Sequence, residues 1–231
     1  MNKLTNKLDS LLPKYTRLPL LAVVCGTVLS FYATKPIVQR LSPCDFSLPI
    51  DAQLPLVTPF VLIYVLAFAQ WIVGFILIAR ESKELCYGML SGEIIAKLIC
   101  MVLFLILPTT MPRWEITTKG PFSWLIKFIY AVDEPTNLFP SVHCLESWLC
   151  FRGSLKLNKV GRWYRPFSLI FTLLVFASTV LIKQHVVVDI VAGVLVCELG
   201  LLISKKTDAA SIFRKIEAHR TQKDQSPGES L

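Results

Sequence analysis

Apolar residues gather in six blocks along the chain, at about 18–33, 56–79, 87–107, 141–154, 166–182 and 186–203. A membrane-crossing helix needs roughly 20 residues. The pattern therefore predicts an all-α membrane bundle of six transmembrane helices, with about half the chain in the bilayer. The first and fourth blocks are short, and the fourth is expected to start below the membrane surface. The first could be mistaken for a signal peptide, but a cut after Ala33 would put Phe31 where a small residue is needed, so it is read as an uncleaved helix.

The polar stretches punctuate these blocks. Five prolines (36, 43, 49, 55, 59) make 34–59 an irregular, partly interfacial loop. A charged turn at 80–84 joins the second and third spans. The long connection 108–140 can hold a short interfacial helix at 122–131, with Trp124 and Tyr130 at headgroup depth. A basic loop (Lys156, Lys159, Arg162, Arg165) precedes the fifth span. The organisation read from this is an N-terminal segment 1–17, a membrane domain 18–204 and a basic tail 205–231. The tail is expected to hold a short helix at 211–220 and disorder around 222–231.

Composition agrees with the pattern. Hydrophobic residues make up 54% of the 231 and charged residues 17%, against about 25% charged in soluble proteins. The net charge of +8 would suggest nucleic acid in a soluble chain, but here topology explains it and no nucleic-acid partner is expected. With the N-terminus inside, the inner segments carry 17 Lys and Arg and the outer ones 6. That bias places both termini in the cytoplasm. The basic tail is read as an inside anchor. Seven cysteines show no paired spacing and mostly sit in or beside apolar blocks, so neither a disulfide framework nor a zinc site is expected.

Few polar groups interrupt the spans. Glu93 and Lys97, one helical turn apart, form a pair read as structural. The histidines are more informative. His219 lies in the polar tail, but His143 and His185 both stand at span ends on the predicted outer side. Asp189 follows His185 by one turn. A carboxylate there costs roughly 3 kcal/mol on insertion scales unless paired; accepting the His Nδ1–H fixes the tautomer and leaves Nε2 as base, nucleophile or metal ligand. Two outer histidines, one Asp and no HExxH make a poor metal set, so no metal and no cofactor are expected. His143 follows Pro140-Ser141, a helix start whose free N–H groups attract anions. Arg113, also on the outer side, can clamp phosphoryl oxygens. Glu146 is read either as tuning His143 or as pairing with a Lys or Arg elsewhere, and Cys144 as packing.

These segments resemble the type 2 phosphatidic acid phosphatase superfamily, with signature blocks Lys-x6-Arg-Pro, Pro-Ser-Gly-His and Ser-Arg-x5-His-x3-Asp. The chain offers Pro112-Arg113-Trp114, Pro140-Ser141-Val142-His143 and Ser178-Thr179-x5-His185-x3-Asp189. The similarity covers about 108–193. The stretches around 133–144 and 178–189 resemble a branch that includes bacterial proteins and the inositol phosphorylceramide synthase type of phosphotransferase. Two family cations are replaced, by Ile106 and Thr179, and the second-block Gly by Val142. Lys183, one turn above Thr179, is expected to supply one charge.

The resemblance implies a bacterial plasma-membrane enzyme acting on a lipid phosphate at the outer face. It assigns His143, His185 and Asp189 catalytic roles and Arg113, Ser141 and Lys183 phosphate binding. It also implies a metal-independent reaction through phosphohistidine. Water as acceptor makes a lipid phosphatase, the favoured reading; an alcohol makes a headgroup transferase. A small transporter using the histidines as a proton relay and an inactive family member are the competing readings. Protein partners are not legible.

Overall fold

A computed structural model describes residues 12–225, with side chains to residue 222. Most of the N-terminal segment and residues 226–231 of the expected disordered end lie outside the described residues. The chain begins with a 3-10 turn, Lys14–Thr16, then α1, Arg17–Thr27, which continues through a π-turn, Val28–Tyr32, to α2, Lys35–Val38. Together 14–38 are long enough to cross a membrane. The first span is thus longer than its apolar block, because its ends are polar.

The proline-rich connection folds into α3, Pro49–Gln53, and a 3-10 turn, Thr58–Phe60. Then come α4 (Val61–Glu81), α5 (Lys83–Ile106), α6 (Pro121–Val132), α7 (Val142–Ser154), α8 (Tyr164–Leu181), α9 (Val187–Thr207) and α10 (Ala210–Gln225). The expected interfacial helix is α6, and the expected tail helix is α10, longer at both ends.

The fold is all-helical, and five stretches meet the length of a span: 14–38, 58–81, α5, α8 and α9. The fourth of the six expected spans is not among them. The fourth apolar block forms α7, which has 13 residues and at 1.5 Å per residue reaches about 20 Å, well short of the roughly 30 Å hydrocarbon layer. The connection before it runs down into the bundle, and Ser141 at its start is fully enclosed.

The packing is inverted relative to a soluble bundle. Leu21, Leu66, Ile72, Val102, Leu173 and Leu195 are exposed on the outer helix faces, where lipid solvates them. Polar groups turn inward, because an unpaired polar group in hydrocarbon is costly. Gln70 Nε2 donates to Thr172 Oγ1, whose hydroxyl donates to the Ser147 carbonyl, and Trp71 Nε1 donates to Ser147 Oγ. These bonds tie α4, α7 and α8 together. Lys97 reaches across from α5 to Glu146 Oε1 of α7 at 2.5 Å, with Glu93 at 3.7 Å. Glu146 therefore pairs with a lysine of another helix. α9 comes close to α7 because residue 193 is glycine: a Cβ there would stand 2.6 Å from the Ser141 carbonyl oxygen.

Candidate active site

α7 and α9 both begin at the same end of the bundle. The two starts are joined: the Ser141 N–H donates to the Asp189 carbonyl at 3.1 Å. Ser141 Oγ caps α7 by accepting from the Cys144 N–H. On α9, Asp189 lies in the first turn, where its Oδ2 accepts from the Val186 N–H at 3.1 Å. The same oxygen accepts from His185 Nδ1–H, also at 3.1 Å. The carboxylate is held by a helix start and a ring at once, so the imidazole has one tautomer and one orientation, and its Nε2 keeps the lone pair.

His143, in the first turn of α7, faces His185 with ring centroids 6.4 Å apart. Its ring stacks on Tyr64 at 4.1 Å and meets the rings of Phe68 and Trp71. Three aromatic residues of α4 thus fix its plane. His143 Nε2 is buried and has no hydrogen-bond partner.

Both histidines line a cavity of about 330 Å³ bounded by α1, α4, α6 and the loop 133–138. Its lining includes the exposed side chains of Tyr32, Val65, Phe68 and Val132, so it opens on the apolar side of the bundle between the π-turn, α4 and α6. Unpaired polar atoms collect there: His143 Nε2, Gln184 Nε2, Asn137 Oδ1 and Thr136 Oγ1 are all buried without partners. Buried polar groups are normally satisfied. A cluster of unsatisfied ones in a concave site is what a polar ligand completes.

The residues expected to bind phosphate are arranged differently. Among the described residues that line the cavity, Arg113, Ser141 and Lys183 do not appear. Arg113 stands one layer back. Its Nη1 donates to Gln184 Oε1 at 3.0 Å, its Nη2 donates to the Asp133 carbonyl, and its plane lies over Tyr130 at 4.3 Å. Gln184 and Asp133 are the residues in the wall. Burial pushes the Arg113 guanidinium down from its ordinary value, an effect opposed by Tyr130 and Asp133. Its Nε remains buried and unpartnered.

Lys183 departs furthest from expectation. Its Nζ donates to the carbonyls of Asp51 and Leu54, at 2.9 and 2.7 Å, and lies over the Trp114 ring at 4.2 Å. It locks α3 onto the end of the bundle that carries the histidines. Asp51 in turn accepts from the Val187 N–H at 2.8 Å, capping α9 from outside. Lys183 has a left-handed backbone, φ 57°, a conformation costing about 1–3 kcal/mol in a non-glycine residue. The two carbonyl bonds hold it there. The turn this makes lets the N–H groups of Gln184 and His185 both donate to the Thr179 carbonyl, which aims His185 inward.

Asn137, Gln184 and Asp133 were not singled out in the sequence. Asn137, also left-handed at φ 56°, donates from Nδ2 to the Phe31 carbonyl and to Thr34 Oγ1. Asp133 Oδ2 accepts from the Tyr64 hydroxyl at 3.4 Å. Burial raises its carboxyl above the usual range, against the opposing pull of His185, Arg113 and Lys35.

The sequence profile of the PAP2 superfamily matches residues 45–203. The chain belongs to the PAP2 superfamily. Neither a curated protein nor a solved structure matches it. Membership makes this an integral membrane protein of phosphatase type, and the matched residues contain Arg113, His143, His185 and Asp189. The matched stretch begins after α1 and α2, which nevertheless form one wall of the cavity.

Proposed function

We propose that the protein is a lipid phosphatase that hydrolyses a phosphomonoester or pyrophosphate of a membrane lipid through a phosphohistidine at His185. The observation that carries this reading is the pair of facing imidazoles. One is oriented by a carboxylate with Nε2 free; the other has a buried, unpartnered Nε2. Near-attack contact takes about 3–3.5 Å and proton donation about 3 Å, distances that suit a phosphoryl group between rings 6.4 Å apart.

In the first step the His185 Nε2 lone pair forms the N–P bond while the P–O bond to the lipid breaks. His143, held as imidazolium by the negative charge of the bound phosphate, gives its proton to the departing oxygen. Water then attacks phosphorus, the P–N bond breaks, and His143 takes the water's proton. Asp189 steadies the imidazolium character that develops on His185. Arg113 acts through Gln184, whose amide Nε2 it leaves free to face the phosphate oxygens. The start of α7 adds its dipole. Ser141 is assigned the capping of that start and Lys183 the shaping of the turn before His185.

His185→Ala and Asp189→Ala are expected to abolish turnover in a protein that still purifies as a folded species. The assay offers phosphatidic acid, prenyl pyrophosphate and phosphatidylglycerol phosphate in detergent, with and without chelator. Free phosphate that survives chelation supports the phosphatase; substantial activity in either variant would falsify the assignment. One feature favours a headgroup transferase as second reading. Asp133 in the cavity wall repels a phosphate dianion but can accept from an acceptor hydroxyl. A donor–acceptor lipid pair yielding a new lipid without free phosphate would select it. The 17-to-6 charge bias supports a site at the outer face with cytoplasmic termini.

A further inference from the structure

Phosphoryl transfer needs fixed positive charge against the phosphate oxygens. Neither replaced family position provides it: Ile106 is exposed on the outside of α5, and Thr179 is enclosed with its hydroxyl donating to the Phe176 carbonyl. Arg113 and Lys183 are engaged as described. Among the described residues lining the cavity, Lys35 is the single Lys or Arg.

Lys35 begins α2, beyond the matched stretch of the chain. Its backbone is fixed at the cavity wall by the Asn137 amide, which grips the Phe31 carbonyl and Thr34 Oγ1. Its side chain is less committed. Nζ stands 3.1 Å from Glu134 Oε2, and the Glu134 side chain is half exposed. Such a partly exposed pair is weakly held, so a phosphate can displace it at little cost. Glu134 would keep a partner, because Gln39 Nε2 donates to the same oxygen at 2.6 Å. Lysine suits this exchange, being a mobile point charge rather than a rigid fork.

We propose that Lys35 binds the phosphate of the substrate, moving from Glu134 onto the phosphoryl oxygens and replacing the cations that the matched region lacks. The inference rests on the phosphoryl-transfer reading of the site. The competing explanation is that Lys35 only staples α2 to the 133–137 loop.

Two measurements on the detergent-purified full chain decide between them. One is thermal stabilisation by inorganic phosphate; the other is kcat and KM for phosphatidic acid in mixed micelles. Wild type is compared with Lys35→Gln, Lys35→Arg and Glu134→Gln. A charge-assisted hydrogen bond is worth about 1.5–3 kcal/mol, so Lys35→Gln should weaken phosphate binding by about 10- to 100-fold and raise KM. Lys35→Arg should restore most of it. Glu134→Gln removes the competing carboxylate and should tighten phosphate binding. The staple explanation predicts equal losses in Lys35→Gln and Glu134→Gln, and that result overturns the proposal. So does a wild-type protein that phosphate does not stabilise, or a Lys35→Gln variant that binds it normally. Phosphate binding that depends on Lys35 without any turnover would sink the enzymatic reading, and turnover that persists in His185→Ala would sink the phosphohistidine assignment; both leave Lys35 as an anion ligand.

Discussion

Asp133 sits where a carboxylate is least comfortable, in the wall of the site proposed to take phosphate. Burial raises its carboxyl above the ordinary range, so the folded protein holds this proton more tightly than the unfolded chain. The linkage then runs in one direction: stability is greatest below the unfolded carboxyl range and falls as pH rises through the folded one. Asp133→Asn keeps an acceptor for the Tyr64 hydroxyl and removes that loss. Its melting temperature should exceed that of wild type near neutral pH, with the difference shrinking in acid; a constant difference across pH would show that the charge is not its source. The residues that could be read from the chain were those whose partner lies one helical turn away, as Asp189 lies from His185. Gln184 adjoins a histidine, but its value comes from Arg113, 71 positions distant. Lys35 and Asn137 gain their meaning only when the π-turn and the residues leading into α2 meet the 133–137 loop, a contact between segments about 100 residues apart.

Among the elements, α5 and α7 are joined by the most demanding contact. Lys97, Glu93 and Glu146 are fully or nearly fully enclosed. Removing one member of a buried ion pair typically costs about 3–5 kcal/mol, whereas replacing both partners by apolar or neutral groups is often tolerated. Lys97→Met should therefore lower the thermal midpoint in detergent sharply, and adding Glu146→Gln should recover part of the loss. The i,i+4 spacing suggested Glu93 as the partner, yet the shorter distance is to Glu146. The spacing along one helix is local information, and the bundle's choice is not. Helix identity was legible because long apolar runs allow little else. The ends were not: Pro59 sits inside a 3-10 turn ahead of α4, and the 14–38 stretch, α5 and α9 have polar ends that extend past their apolar runs.

The whole molecule places the histidine pair at one end of the bundle. The opposite end carries the turn between α4 and α5, where Lys159 Nζ donates to the Arg80 and Glu81 carbonyls. The proposed orientation rests on charge and can be read with a thiol probe. Cys44 is free and exposed, and its backbone pairs with Pro108 and Thr110 at the site's end. A membrane-impermeant maleimide should label it in intact cells, with the label lost in Cys44→Ser. Labelling only after permeabilisation would reverse the topology. The resemblance rests on 108–193 and could not include α1 and α2, which carry no motif.

The sideways mouth between the π-turn, α4 and α6 changes what concentration means for this protein. A lipid substrate, as proposed, would enter there without leaving its leaflet, so its acyl chains would need no desolvation and encounters would occur in two dimensions. Turnover should then track the mole fraction of substrate in the surface. Adding inert lipid or detergent would slow the reaction even at constant bulk substrate, and the composition of the membrane becomes the variable that sets flux.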